Sequence, residues 1–219
     1  MSKNVIYVGA HPDDILSVAG TLCLLAKAGF QIHEFCLTRG EGIPGGGAVR
    51  PQEEEKVCEI IGATLKFFDQ KDGAVYAEPA VCAEVAKEFK RLEPVAVFTL
   101  WALEKPDHAA TYQIAAKALH LSGLFWTTEL YMSKVDGSNY CYRPDMYVDV
   151  SSVQDKIEAI AACYQFENKN PYVTCALQRK RTLGAPLFVE AAESLMYVLD
   201  PINKRFGREC EVGRILRKL

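Results

Sequence analysis

Residues 5–14 have the sequence Val5-Ile6-Tyr7-Val8-Gly9-Ala10-His11-Pro12-Asp13-Asp14. The first four residues are apolar and mostly β-branched, which predicts a strand buried on both faces, as in a parallel sheet. The strand ends in a histidine, a proline and two adjacent carboxylates, whose mutual repulsion a bound cation would relieve. The stretch therefore predicts a buried strand that leads directly into a polar site.

Helix capping is the simpler explanation of the two carboxylates. Aspartate is a favoured N-cap residue, and the apolar pattern from Leu16 to Ala28 predicts a helix directly after the turn. One cap would account for Asp13 or Asp14, but the other carboxylate and His11 would remain unexplained. A metal-binding or catalytic role for this turn is therefore favoured.

Strand and helix patterns alternate through the first half of the chain. Strands are predicted over residues 4–9, 31–38, 64–69 and 95–100, and helices over residues 15–28, 51–61, 79–92 and 107–121. This alternation predicts an α/β fold with a doubly wound, mostly parallel sheet in the order 3-2-1-4-5 and helices on both faces. The 219 residues are enough for one such domain, spanning 1–219.

The second half has weaker patterns. It predicts short strands near 127–132 and 146–150, helices over 152–166 and 173–183, and an extended segment near 186–198. The basic cluster Gln178-Arg179-Lys180-Arg181 falls in the second of these helices and is interpreted as a solvated helix face.

Composition limits the range of partners. The formal net charge of −3 argues against nucleic acid, which needs a concentrated basic surface. No apolar run approaches the ~20 residues that a bilayer crossing requires, and no signal-peptide pattern follows Met1. We therefore expect a cytoplasmic protein.

The cysteine pattern agrees with that expectation. The eight cysteines are scattered and include no C-x-x-C pair. They are Cys23, Cys36, Cys58, Cys82, Cys141, Cys163, Cys175 and Cys210. In a chain of this size they are interpreted as buried thiols in a reducing compartment, rather than as a disulfide framework or a zinc ribbon.

The predicted strand order places two distant segments at one edge of the sheet. In a doubly wound sheet the first and fourth strands are neighbours at the switch point, where a crevice opens at their carboxyl ends. His11 and Asp14 follow the first strand, and Asp107 and His108 follow the fourth. We therefore expect these four residues to lie close together.

Two histidines and one carboxylate are a sufficient ligand set for a catalytic zinc, which keeps a position open for water or substrate. We assign His11, Asp14 and His108 to this set. Asp13 then lies beside the metal but outside the ligand set, as the general base for a bound water, whose pKa zinc lowers to roughly 7. Asp107 either orients a ligand histidine or caps the 107–121 helix, and the sequence favours neither role.

The same ligand set also forms the iron(II) triad of oxygenases. The alternating α/β pattern and an Asp13 that is not needed as a ligand favour hydrolysis over oxygen chemistry. The other two histidines are expected to be structural, because His33 alternates with apolar residues in a strand and His120 lies off the His108 stripe of its helix.

Four motifs together resemble the LmbE-like, or PIG-L, family of zinc-dependent de-N-acetylases. They are Gly9-Ala10-His11-Pro12-Asp13-Asp14, Thr38-Arg39-Gly40-Glu41, Arg50-x-x-Glu53 and Pro106-Asp107-His108. The resemblance implies a Rossmann-like fold, zinc on His11, Asp14 and His108, and Asp13 as the base. It also implies a substrate with an N-acetylglucosamine unit on a small-molecule conjugate, and it is compatible with homo-oligomers.

Two positions depart from the family pattern. Ile15 stands where the family usually has an acidic residue, and Lys105 stands where it often has a histidine that stabilises the oxyanion or assists the leaving amine. A lysine also offers a positive donor to an oxyanion, but with a different reach and pKa. Normal, shifted and lost activity all remain open, and so does a surface lysine without a chemical role.

Arg50 follows a glycine-rich segment at residues 39–50. It is a candidate for binding sugar hydroxyls or a phosphate of the substrate. The ordinary alternative is an arginine at a helix start that pairs with Glu53 or Glu54.

A dinucleotide-binding module is the main alternative function. Residues Gly40–Gly45 match G-x-G-x-x-G after a strand, and Asp69 ends the next strand at the distance expected of a ribose-binding acid. Two features argue against it. The loop follows the second strand rather than the first, and the helix is predicted to begin too late for its N-terminus to face a pyrophosphate.

Overall fold

A computed structural model describes residues 3–135, 141–166, 171–198, 211–216 and 218. The strands are β1 (Asn4–Gly9), β2 (Gln31–Cys36), β3 (Ala63–Phe67), β4 (Ala96–Leu100), β5 (Glu129–Ser133), β6 (Met146–Asp149) and β7 (Ala192–Tyr197). The helices are α1 (Ala19–Lys27), α2 (Gly46–Ile61), α3 (Pro79–Leu92), α4 (Pro106–Leu121), α5 (Gln154–Cys163), α6 (Pro171–Gly184) and α7 (Glu211–Leu216). Among the described residues, 3₁₀ turns lie at Asp14–Ser17, Ser151–Val153 and Ala185–Leu187.

The described strands form one sheet in the order β3-β2-β1-β4-β5-β7-β6. Strand β1 pairs in parallel with β2 on one side and with β4 on the other, and β3 and β5 extend the parallel part. The predicted α/β class and the order of the first five strands are confirmed. Two further strands, β7 and β6, are added in antiparallel pairings beyond β5.

The central strand is buried on both faces, as its sequence predicts. Val5 and Tyr7 belong to the core that packs under α1, α2, α5 and α6. Ile6 and Val8 belong to the core under α3 and α4. All four side chains are fully buried, so alternate residues of one strand join both layers of helices to the sheet.

Helix α2 begins earlier than predicted. The sequence predicts a start at Pro51, whereas the helix starts at Gly46 and contains Pro51. Proline is favoured in the first turn of a helix and has no N–H to donate at an interior position, which is why the sequence predicts a helix start at Pro51. As a result, Arg50 and Glu54 lie one helical turn apart on the same element.

Helix α1 begins later than predicted, after the 3₁₀ turn at Asp14–Ser17. Its N-cap residue, Val18, has no capping side chain. The carboxylate of Glu193 on β7 takes this place. It accepts hydrogen bonds from the backbone N–H groups of Gly20 and Thr21, at 2.9 and 2.8 Å. A negative charge at the start of a helix is stabilised by the helix dipole.

Lys180 shows that the interpretation of residues 178–181 as a solvated face is wrong in part. Gln178 and Arg181 are exposed, but the Lys180 side chain is buried and its ammonium binds Glu193. Its partner Glu193 lies on strand β7, so the charge pattern within the helix does not indicate this pair.

The cysteines also divide differently from the expectation. Four thiols, those of Cys23, Cys36, Cys58 and Cys82, are buried, and Cys163 is half-buried. Cys141 and Cys175 are exposed, so the prediction of buried thiols is wrong for them, and Cys210 lies outside the described residues. None of the described helices combines the length and apolarity needed to cross a bilayer.

The buried Lys180–Glu193 pair generates a stability prediction. Lys180→Met leaves the Glu193 carboxylate buried without its cation, which is expected to cost about 3–5 kcal/mol in the free energy of unfolding. The double variant Lys180→Met/Glu193→Gln is expected to recover part of this loss. Denaturant titration measures it, with the exposed Arg181→Met as the control at about 0.5 kcal/mol or less. Equal losses in Lys180→Met and Arg181→Met would contradict the prediction.

Candidate metal centre

The turn after β1 directs its two carboxylates in different directions. Asp14 Oδ2 accepts hydrogen bonds from the backbone N–H groups of Ala10 and His11, at 2.9 and 2.8 Å. Asp13 has a left-handed backbone, with φ 103°, and its side chain makes no cap hydrogen bond to the 3₁₀ turn that follows. Helix capping therefore explains neither carboxylate.

Helix α2 holds this strained turn in place. Arg50 Nη2 donates to the carbonyl of Pro12 and lies 3.2 Å from Asp13 Oδ2. One turn further along, Glu54 Oε2 accepts the backbone N–H of Asp13 at 2.8 Å. A non-glycine residue in the left-handed region costs of order 1–3 kcal/mol, so the contacts from α2 stabilise a conformation that is locally unfavourable.

Asp14 lies between two imidazole rings. Its Oδ1 is 3.2 Å from His108 Nε2, and its Oδ2 is 3.5 Å from His11 Nδ1. One potential ligand atom from each of the three residues lies within 4.8 Å of the others. The edge of the sheet thus brings together His11 and His108, which are 97 positions apart, as the topology predicts.

Each imidazole has a further carboxylate on its other nitrogen. His11 Nε2 lies 3.2 Å from Asp107 Oδ2, and His108 Nδ1 lies 2.8 Å from Glu104 Oε2. Asp107 also accepts the N–H groups of Gly73 and Val75. Such carboxylates fix the ring orientation and tautomer of a ligand histidine.

The predicted role of Asp107 therefore needs a correction. Asp107 contacts His11, not its sequence neighbour His108, and the N-cap of α4 is Lys105, without a capping side-chain bond. Sequence reasoning missed Glu104, although its position four residues before His108 is the spacing of neighbours on one helix face. It also missed Asp72, whose Oδ1 lies 3.2 Å from His11 Nε2 and which follows β3 at the same edge of the sheet.

The electrostatics of the site favour a positive charge. Burial alone would lower the pKa of His11, but hydrogen bonds to Asp107, Asp14 and Asp72 outweigh it and raise the pKa to about 12. Burial likewise opposes the charged form of His108, and the carboxylates of Asp14 and Glu104 raise its pKa to about 10. Four carboxylates around two imidazoles thus leave an excess of negative charge.

The donor chemistry fits a divalent metal ion. Imidazole nitrogen and carboxylate oxygen are ligands for zinc and for iron(II), and a cation would offset the excess negative charge. A second group, His11 with Asp72 and Asp107, also has its ligand atoms within 4.8 Å of one another, but it shares His11 with the first. His33 and His120 lie elsewhere; His33 bonds Thr64 and Asn4, and the His120 ring contacts Phe125.

A cavity of about 580 Å³ opens beside this cluster. The residues predicted for the site all line it: His11, Asp13, Asp14, Arg50, Lys105, Asp107 and His108. Arg50 is buried and already bound to the turn, whereas Lys105 is exposed at the start of α4. Tyr172 of α6 and Ile43 of the glycine-rich loop contribute further wall.

The glycine-rich loop belongs to this site. Gly42 N–H donates to Asp72 Oδ2 at 3.0 Å, and Gly40, with φ +72°, lies against the Arg50 side chain. One ground for setting aside the dinucleotide function is wrong, because α2 begins directly after Gly45. The other ground holds, since the loop follows β2, and the Asp72 carboxylate now takes a backbone N–H that a pyrophosphate would need.

The chain is similar to proteins of known family. A family model described as PIG-L, GlcNAc-PI de-N-acetylase, matches residues 6–119. A 4-oxalmesaconate hydratase from Pseudomonas putida is 26% identical over 244 residues, which cover 95% of this chain and 92% of that protein.

Solved structures show the same architecture. The conserved protein TT1542 from Thermus thermophilus has a TM-score of 0.79 and 28% identity, covering 91% of this chain and 95% of that one. The N,N'-diacetylchitobiose deacetylase from Pyrococcus horikoshii has a TM-score of 0.73 and 19% identity, covering 90% and 84%, which supports the fold alone.

The contact between Glu104 and His108 generates a prediction about metal affinity. Glu104→Gln removes the negative charge behind the imidazole, so zinc affinity should fall by about 10–100-fold. Competition with a chelator of known affinity measures this. His120→Ala, in which the substituted histidine lies at the exposed end of the same helix, is the control and should bind zinc as the wild type does. An unchanged affinity in Glu104→Gln would show that this carboxylate does not support the site.

Proposed function

The chain belongs to the PIG-L family, and from this premise we propose that it is a metal-dependent hydrolase that removes an acetyl group from an N-acetylated amino sugar on a small-molecule conjugate. The observation that carries the proposal is the group of His11, Asp14 and His108, of which Asp14 and His108 are buried and His11 is half-buried, with Asp13 beside it on the cavity wall. These three residues would hold the ion, zinc by expectation, with Fe²⁺ as the other ion that suits them.

A divalent ion bound here would act as a Lewis acid that polarises the acetamide carbonyl and lowers the pKa of water. Asp13 takes the proton of the attacking water. It then transfers this proton to the amine nitrogen as the carbon–nitrogen bond breaks, so that the products are acetate and a free amine. Asp13 suits this role because the α2 contacts fix its carboxylate while leaving it on the cavity wall.

Two cationic side chains complete the proposed site. Lys105 lines the cavity, and its ammonium would donate to the oxyanion of the tetrahedral intermediate, in place of the histidine that the family often has. Arg50 lines the same cavity, and its guanidinium would donate to a hydroxyl or phosphate of the substrate. Asp107 keeps His11 oriented.

Asp13→Asn tests the proposed base. The amide keeps the size of the side chain but cannot take a proton, so kcat should fall by about 10²–10⁴-fold. The assay is release of free amine from a panel of N-acetylglucosamine conjugates by the zinc-loaded protein. Zinc content should stay equal to that of the wild type, since Asp13 is outside the ligand set. Equal amine release by the two proteins would show that Asp13 is not the base.

Hydration of an unsaturated carboxylate is a second candidate reaction. Two observations favour it: the hydratase relative covers nearly the whole chain, and a lysine stands at the cavity where a deacetylase often has a histidine. An ammonium would bind a substrate carboxylate as well as an oxyanion. In this reaction water adds across a carbon–carbon double bond and no amine is released.

Lys105 separates the two reactions. If the protein is a deacetylase, Lys105→Met should lower kcat for amine release by about 10²-fold, the usual effect of losing one oxyanion donor, and Lys105→His should restore most of it. If it is a hydratase, the wild type should consume a conjugated unsaturated carboxylate, followed by loss of ultraviolet absorbance. Lys105→Met should then mainly raise KM. Unchanged kinetics in both assays would leave Lys105 as a surface residue.

A further inference from the structure

Two carboxyl groups are buried together beneath the turn that follows β1, and the proposed reaction uses neither. Glu34 lies on β2 and Glu54 on α2, and both are fully shielded from solvent. Each carboxyl group shifts the pKa of the other, so the two side chains lie close enough to interact directly. A carboxyl–carboxyl hydrogen bond needs a proton on one partner, since an ionised carboxylate only accepts.

The surrounding donors support a single shared proton. Glu54 accepts the Asp13 N–H at Oε2 and the Tyr164 hydroxyl at Oε1, at 2.8 and 3.3 Å. Glu34 Oε2 accepts the Cys58 thiol at 2.9 Å, while no donor N–H or O–H in the described part of the chain reaches Glu34 Oε1. A proton shared by the two side chains would give Glu34 Oε1 a hydrogen-bond partner.

The titratable groups around Glu34 and Glu54 also favour a proton on one of the two carboxyl groups. Asp13 and Asp14 lie in the turn after β1, and Tyr7, Cys36, Cys58 and Tyr164 are further titratable groups around the pair. Burial raises the pKa of Glu34 to about 7, with Asp14 adding to the rise and the hydrogen bonds from Glu54 and Cys58 opposing it. Burial and the charges of Glu34 and Asp13 raise the pKa of Glu54 well above its usual range. Two ionised carboxylates in this place would repel each other.

We propose that Glu54 is a positioning residue for Asp13, and that the proton shared with Glu34 allows the Glu54 carboxyl group to occupy this point of the core. The proposal rests on the proposed function in so far as Asp13 is the base. Because the Asp13 backbone is left-handed, the direction of its side chain depends on what holds its N–H. Glu54 holds that N–H, and Arg50 holds the preceding carbonyl and the carboxylate.

Glu53 provides a matched control. It is the neighbouring residue of α2 and is also buried, but its Oε1 accepts the backbone N–H of Phe166 at 2.8 Å, away from the turn. A loss that arises merely from removing a buried carboxyl group of α2 would appear at both positions. A loss that arises from positioning Asp13 would appear only at Glu54.

The kinetic test compares Glu54→Leu, Glu54→Gln and Glu53→Leu in the zinc-loaded protein. Glu54→Leu should lower kcat by roughly 10²-fold, as expected when a reacting group moves by about 1 Å, and leave KM within about threefold. Glu54→Gln keeps an acceptor for the Asp13 N–H and should restore kcat to within about fivefold. If Glu54→Leu does not fold, Glu54→Asp, whose carboxylate is too short to reach, replaces it. Equal kcat in the Glu54 and Glu53 variants would overturn the proposal.

Two measurements stand apart from turnover. The infrared carbonyl band of a protonated carboxyl group should be present at neutral pH, lost in Glu34→Gln and retained in Glu53→Gln. Hydrogen exchange of the Asp13 amide should be faster in Glu54→Leu than in the wild type, and slow again in Glu54→Gln. Absence of the band would overturn the shared proton, and unchanged exchange would overturn the positioning role.

The exchange and infrared results also distinguish this proposal from the function. If no N-acetylated substrate releases amine but exchange responds as expected, the proposed reaction fails and the contact between Glu54 and Asp13 stands. If amine is released and exchange does not respond, the reaction stands and the positioning role fails. The alkaline limit of kcat should also move to higher pH in Glu34→Gln, since that variant has no shared proton to lose.

Discussion

The buried charge of Asp14 is the constraint around which this end of the molecule is built. An ion at the centre of an α/β sheet costs several kcal/mol unless partners offset it. Here two backbone N–H groups and two imidazoles surround the carboxylate, and one imidazole comes from a helix that follows a different strand. Burial raises the pKa of an isolated carboxyl group, but these imidazoles hold the pKa of Asp14 well below its usual range. The pairing of β1 with β4 is therefore both a packing and a charge requirement.

Much of the fold follows from periodicity, and its departures have physical causes. The five parallel strands and their order are predictable because buried strands and amphipathic helices alternate without interruption. The start of α2 is not, because Gly46 and Gly47 are poor helix formers, and they pack closely against Gly40 and Glu41 of the preceding loop. The burial of Lys180 cannot be predicted from local sequence either, because it depends on a tertiary contact with Glu193 on β7.

The site divides in a similar way. Residues at the ends of β1 and β4 can be placed together from topology alone, which brings His11, Asp14, Asp107 and His108 to one edge. The partner of each imidazole cannot be placed so, because it depends on the path of a loop. Asp72 reaches His11 from the segment after β3, and Glu104 reaches His108 from just before α4. No periodic pattern covers either segment.

Pro51 divides α2 into two parts of unequal strength. Lacking an N–H, it leaves the preceding turn without one interior bond, and two glycines weaken that turn further. Arg50 therefore sits on the first, glycine-containing turns of α2, whereas Glu54 sits on the regular helix beyond Pro51. The two side chains that hold the turn after β1 thus come from different parts of one helix, and the backbone N–H of the base is held from the regular part.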